Sequence, residues 1–139
     1  MTQPYSNKRV LVIDHQPYWR KLSIYALKEA GFSVQDCENY HSPSLQNDDS
    51  DLIILGCAQV GPEEQQLIAQ LLKAKHHLLV LSAYLPKSIM RSLYMQGVDD
   101  IVDKPYNPAT LVNIVQQVFD NIALHQEANL LEVERASVW

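Results

Sequence analysis

The stretch SDLIILGCAQ, residues 50–59, holds four consecutive branched apolar residues, Leu52, Ile53, Ile54 and Leu55, followed at once by Gly56. A continuous run of this kind is what a strand covered on both faces of a parallel sheet requires, so the spacing predicts a buried strand over residues 52–55 closing at Gly56. Working outward, KRVLVIDHQP (residues 8–17) is a second apolar run that delivers Asp14 and His15 to its end, with Pro17 placed to open a helix. LLVLSAY (residues 78–84) is a third run, predicted as a strand over 78–82 that brings Ser82 to its end. YMQGVDDIVDKPYNP (residues 94–108) turns at Gly97 and presents Lys104 just before Pro105.

In order and spacing these segments resemble the receiver domain of two-component response regulators, over about residues 8–120. The resemblance implies a flavodoxin-like α/β fold with five parallel strands in the order 2-1-3-4-5. It also implies a site where an aspartate closing the third strand accepts phosphoryl from a histidine kinase. Two acids after the first strand would hold Mg²⁺, a hydroxyl after the fourth would touch the phosphoryl group, and a lysine after the fifth would pair with it. Carried over by position, Asp14 matches the first acid, His15 replaces the second, Ser82 matches the hydroxyl and Lys104 the lysine. Gly56 stands where the acceptor aspartate belongs, and Ile101 where the family has a switching Tyr or Phe. The expectation is a degenerate receiver whose scaffold outlives its central reaction.

The whole chain fits that reading. Its 139 residues, 47% hydrophobic, suffice for one domain with a real core and leave no room for a second. A net charge of -5 argues against a nucleic-acid surface, which needs clustered Lys and Arg; Arg20 and Lys21 are read as part of an ordinary amphipathic helix. Neither a signal peptide nor an apolar run of membrane-spanning length is evident, which places the chain in the cytoplasm. Cys37 and Cys57 fall on strands either side of the first, too far apart to bridge. Both read as small buried hydrophobes in a reducing compartment, with the lesser alternative that Cys57, at a strand exit, is exposed enough to react.

Further elements follow from periodicity. Residues 33–37 and 100–103 alternate as strands nearer the sheet edges do. Pro17 opens a first helix in which Trp19, Leu22, Ala26 and Ala30 recur at helical spacing until Gly31 stops it. Pro62, Glu63 and Glu64 start the third helix, whose Leu67, Ile68, Leu71 and Leu72 face the sheet. Pro86 and Ser88 open the fourth, closed by Gly97, and Asn107 and Pro108 open the fifth, with Leu111, Ile114, Val115, Val118 and Ile122 on one face. The second helix of the family is reduced here: residues 38–50, with Pro43 and the one strong apolar residue Leu45, read as loop. Residues 121–139 form a C-terminal helical extension or linker, which could reach a partner, pack back on the domain or lead into a longer protein, with an ordered helical tail the leading expectation; its Leu130, Leu131, Val133 and Val138 are too irregular for a firm heptad.

The residue types at the site exclude receiver chemistry. Glycine offers no nucleophile, and one carboxylate with an imidazole makes a poor Mg²⁺ site, so Lys104 is expected to pair with Asp14 and no catalytic residue, metal or cofactor is assigned. A lone His15 lacks the convergent ligands of a zinc site, and His76 and His77, adjacent at a strand entry, point to opposite faces. The missing side chain leaves the alternative of a small-ligand pocket lined by His15, Trp19, Tyr84 and Tyr106.

Function then falls to a surface. On the fourth helix Ile89 and Leu93 suffice for a buried stripe, while Met90, Tyr94 and Met95 spread apolar character around it. Ile89, Met90, Leu93 and Tyr94 are therefore the interface candidates. The family precedent is contact with a signalling partner, or a homodimer, through the fourth helix, last strand and fifth helix. The leading reading is a non-enzymatic signalling module of a phosphorelay pathway acting through protein contacts. The alternatives are a true phosphoacceptor using another residue and a small-ligand sensor.

Overall fold

The computed structural model describes residue 5, residues 7–38 and residues 49–137. Five strands, β1 (Arg9–Asp14), β2 (Ser33–Cys37), β3 (Leu52–Gln59), β4 (Leu78–Tyr84) and β5 (Asp100–Asp103), alternate with helices α1 (Pro17–Glu29), α2 (Pro62–Lys73), α3 (Lys87–Gln96) and α4 (Pro108–Ser137). The segments expected as third, fourth and fifth helices are thus α2, α3 and α4. The reduced second helix, with Pro43 and Leu45, lies outside the described residues, as does Val138.

All strand pairs are parallel and the order is β2-β1-β3-β4-β5. Side chains alternate between faces along each strand, and the packing sorts accordingly. Leu11, Ile13, Ile53, Leu55, Cys57, Leu78 and Val80 meet Leu67, Ile68 and Leu71 of α2 and Leu93 of α3. Val10, Val12, Leu52, Ile54, Leu79, Leu81 and Val102 meet Leu27 of α1 and Leu111, Val115, Val118 and Phe119 of α4. The sheet therefore has α2 and α3 on one side and α1 and α4 on the other.

Local chemistry sets the helix ends. Gly61 N–H donates to Glu64 Oε1 at 2.9 Å, closing the first turn of α2 after the Pro62 start. Gly97 ends α3 at φ 111°, a left-handed conformation that a Cβ would strain. Two strands run past their expected ends, because β3 continues through Gly56 to Gln59 and β4 to Tyr84. Gly56 is thus an interior strand residue, paired with Asp14 on one side and Leu81 on the other.

The inward stripe of α1 also differs from expectation. Arg20, Ser23, Ala26 and Leu27 are its buried residues, whereas Trp19 and Leu22 are only partly covered. No helix of the described residues is long and apolar enough to cross a membrane.

Candidate functional site at the carboxyl edge of the sheet

Strand alternation decides which side chains can meet. Val10, Val12 and Asp14 share a face, as do Leu52, Ile54 and Gly56, and Val102 with Lys104; all three series lie on the α1–α4 side. Asp14 and Gly56 are directly opposite in register. Asp14 turns its carboxylate across the neighbouring strand, and a Cβ built on Gly56 would overlap Asp14 Oδ2 and Cγ. The space vacated by a missing side chain at Gly56 is filled by Asp14, which removes the basis for the small-ligand pocket at that point.

The charged atoms of this cluster are engaged. Lys104 Nζ donates to Asp14 Oδ2 at 2.9 Å, the pairing the residue types led us to expect, and to Gln16 Oε1 at 2.8 Å. Gln16 N–H donates to Asp14 Oδ1 at 2.9 Å. Both charged side chains of the pair are only 1% exposed. Such burial is tolerable because each charge meets its partner and a further hydrogen bond. The Lys104 ammonium also lies 5.9 Å from the centre of the Trp19 ring, which packs against Tyr106 with 4.9 Å between ring centres. Tyr106 donates to the Trp19 carbonyl at 3.4 Å, and burial pushes its phenol up to about 12. Trp19 and Tyr106 thus cap the edge, whereas Tyr84 and His15 are exposed.

Ser82 joins a different neighbourhood. It pairs in register with Cys57, on the α2–α3 side of the sheet, and its hydroxyl donates to the Tyr84 carbonyl at 3.1 Å. Cys57 is buried, its thiol 3.6 Å from the Leu81 carbonyl, and burial pushes it up to about 11. Cys57 is thus the small buried hydrophobe expected of it, and the lesser alternative of a reactive thiol at a strand exit is corrected, since the strand does not exit there. Ile101 packs partly buried against the α2–α3 side of the core.

Arg20 was read from the sequence only as part of an ordinary amphipathic helix, not as a site residue. Its Nη1 donates to the Asp14 carbonyl at 3.0 Å, and Nε lies 3.0 Å from Asp36 Oδ1 in an ion contact without hydrogen-bond alignment. Nη2 stands 3.8 Å from Glu38. One buried guanidinium therefore ties the end of β1 to the end of β2. The signal was available: Arg20, Ser23 and Leu27 recur at helical spacing, and two acids, Asp36 and Glu38, leave β2 nearby.

The arrangement does not suit Mg²⁺, which demands several hard oxygens in octahedral array. The one carboxylate in place has an oxygen on Lys104 and the other on a backbone amide. Among the described residues no three His, Cys, Asp or Glu side chains converge as metal ligands would.

Among the interface candidates, Leu93 is corrected, being only 1% exposed and part of the core. Ile89 is partly buried against that core and Met90 is half-buried, while Tyr94 and Met95 face solvent.

No protein-family model matches the chain, and a search of curated proteins finds no match. Solved structures do match. A response regulator from Thermotoga maritima superposes with a TM-score of 0.70 at 24% identity, covering 81% of this chain and 98% of that one. A response regulator from Desulfuromonas acetoxidans gives 0.70 at 24% identity, covering 81% and 97%. A CheY-like receiver domain protein from Methanospirillum hungatei gives 0.72 at 18% identity, covering 82% and 94%. The structural neighbours are response regulator receivers, and the fold is the CheY-like, flavodoxin-like one: a parallel sheet in the order 2-1-3-4-5 with helices on both sides.

Proposed function

We propose that this chain is a receiver-like signalling module of a two-component pathway that carries no phosphoryl group and is not an enzyme. It acts in the cytoplasm through protein contacts and, with a net charge of -5, does not bind nucleic acid by itself. The observation that carries this reading is the position of Asp14: its carboxylate lies over Gly56 and is held there by Lys104.

Transfer to a receiver needs an oxygen nucleophile in line with the donor and a cation to absorb developing charge. Gly56 supplies no nucleophile, and the lysine that would meet the phosphoryl group is already neutralised. The nearby substitutes are poorly placed. Asp14 is 1% exposed, Ser82 is fully buried with its hydroxyl engaged, and the Cys57 thiol is held protonated by burial. A module fixed in this way signals by the surface it presents, and the exposed residues of α3 support that use.

The test is incubation of the full chain with a small phosphodonor, acetyl phosphate, and Mg²⁺, followed by intact-mass measurement. The expected spectrum is unchanged. A stoichiometric phosphate adduct sinks the proposal and favours an alternative acceptor.

A further inference from the structure

The carboxyl edge, where folds of this type hold ligands, is closed by the Asp14–Lys104 pair. The amino edge is open. Lys8, Asp51 and His77 stand immediately before β1, β3 and β4, which are neighbours in the sheet. Between these strand entries and α4 lies a hollow of about 330 Å³. Ligand sites span about 300–1,000 Å³, so this one suits a molecule of amino-acid size.

The apolar part of the lining is Phe119 and Ile122 of α4, and it is held in place. Phe119 stacks on Phe32 with 5.6 Å between ring centres, and Phe32 on Tyr5 with 5.0 Å. The Tyr5 hydroxyl donates to Asp120 Oδ1 at 3.5 Å, which ties the end of this aromatic row to α4.

The polar part carries both signs. Lys8 and Lys75 supply two ammonium groups and Asp51 and Asp120 two carboxylates, so the lining is formally neutral when His76 and His77 are. His77 is engaged with Asp99, and His125 lines the adjoining hollow, which shares His77, Ile122 and Gln126 with this one. Neither lysine meets a carboxylate among the described residues. Asp51 commits one oxygen to the Arg9 N–H at 2.8 Å and Asp120 one to Tyr5; the other oxygen of each accepts nothing from the described residues. A plain anion would face the two carboxylates and a plain cation the two lysines, whereas a ligand bringing both signs meets a partner for each. Lys75 also holds a left-handed backbone at φ 66° in the turn from α2 to β4. Glycine suits such a turn better, so the backbone does not explain a lysine there.

We propose that the amino edge is a binding site for a small zwitterion, an α-amino acid with an apolar side chain. Its carboxylate is taken by the lysines, Lys75 foremost, its ammonium by the aspartates, Asp120 foremost, and its side chain lies on Phe119 and Ile122. Lys75 belongs to the entry of β4 and Asp120 to α4, so an occupant fastens the long helix to the sheet. The site uses none of Asp14, Gly56 and Lys104, and it stands whether or not the carboxyl edge takes phosphoryl.

The probes are L-leucine, L-valine and L-phenylalanine, titrated to millimolar concentration into the full chain while backbone amide resonances are followed. Saturable shifts are expected at Lys75, His77 and Gln126. L-leucinamide lacks the carboxylate and N-acetyl-L-leucine the ammonium, and each is expected to bind at least about tenfold more weakly than L-leucine. Lys75→Gly and Asp120→Asn, both at exposed positions, are expected to lose L-leucine by a similar factor. The glycine fits the φ of the turn, and thermal melts verify that both variants remain folded. The absence of a saturable shift with all three amino acids overturns the proposal. So does equal binding of either analogue, which means that only one charge is read, and so does undiminished binding in either variant.

Discussion

The two edges of the sheet each hold a carboxylate beside a cationic side chain, and they differ in water. At the carboxyl edge Asp14 and Lys104 lie 2.9 Å apart with both side chains 1% exposed. At the amino edge His77 Nδ1 lies 3.3 Å from Asp99 Oδ1, with exposures of 45% and 23%. Asp99 uses its other oxygen to accept the Leu78 N–H at 2.8 Å, so it anchors the start of β4 whether or not His77 is charged. The dry pair is a structural tie whose members cannot be separated without cost, while the wet pair is a titratable contact that the fold does not depend on. In a receiver-like fold, the carboxyl edge is where reactivity is expected, and here it is the drier of the two.

The largest expected effect breaks the dry pair. Lys104→Ala leaves Asp14 buried without its cation and is expected to cost about 3–5 kcal/mol in urea unfolding. The double replacement Asp14→Leu with Lys104→Met, apolar throughout, should recover most of that loss. If Lys104→Ala is neutral, the two edges are alike after all.

A smaller effect sharpens the steric side of the comparison. Gly56→Ala pushes a methyl into the Asp14 carboxylate, and overpacking of this kind costs about 1–3 kcal/mol. A double-mutant cycle with Asp14→Ala should show strong coupling, because the second change vacates the space the methyl needs. Additive costs would mean that Asp14 does not occupy that space. By the same overlap, Gly56→Asp is not a simple restoration of an acceptor.

The smallest effect belongs to the wet pair. The hydrogen bond that the His77 ring donates to the Asp99 carboxylate raises the His77 pKa above its ordinary 6.5, outweighing the opposing effect of partial burial. A raised folded value means that the stabilisation from protonated His77 is fully present below the unfolded value and is lost as pH rises through the folded one. Imidazole resonances followed through a pH titration should give a midpoint above 6.5, falling in Asp99→Asn. An unmoved midpoint would show that the pair is not electrostatically coupled.

The sequence made the sheet legible because parallel strands buried on both faces leave uninterrupted apolar runs, as at Val10–Ile13 and Leu52–Leu55. Strand ends were less legible: the polar or small residues Gly56, Gln59 and Ser82 mimic loop chemistry while still pairing in the ladder. Asp14, Gly56 and Lys104 could be brought together from their positions at strand ends, and their opposite charges with a vacancy between them foretold the pairing. The placement of Asp14 over Gly56 could not be foretold, since it depends on register and rotamer. Arg20 was missed for a different reason. Its charge argued for solvent, and only the acids leaving β2 make its burial affordable. Ser82 was grouped with the site by position in the chain, yet alternation turns it to the Cys57 side.

The unbroken length of α4 has a geometric corollary. Thirty residues in one helix make a rod about 45 Å long, and along it distance and angle are locked together at 1.5 Å and 100° per residue. The anchored first half, from Leu111 to Phe119, therefore dictates the compass bearing of Leu131 as firmly as its reach. One residue inserted between them would swing Leu131 through more than a quarter turn, whereas seven would return it almost to its original heading.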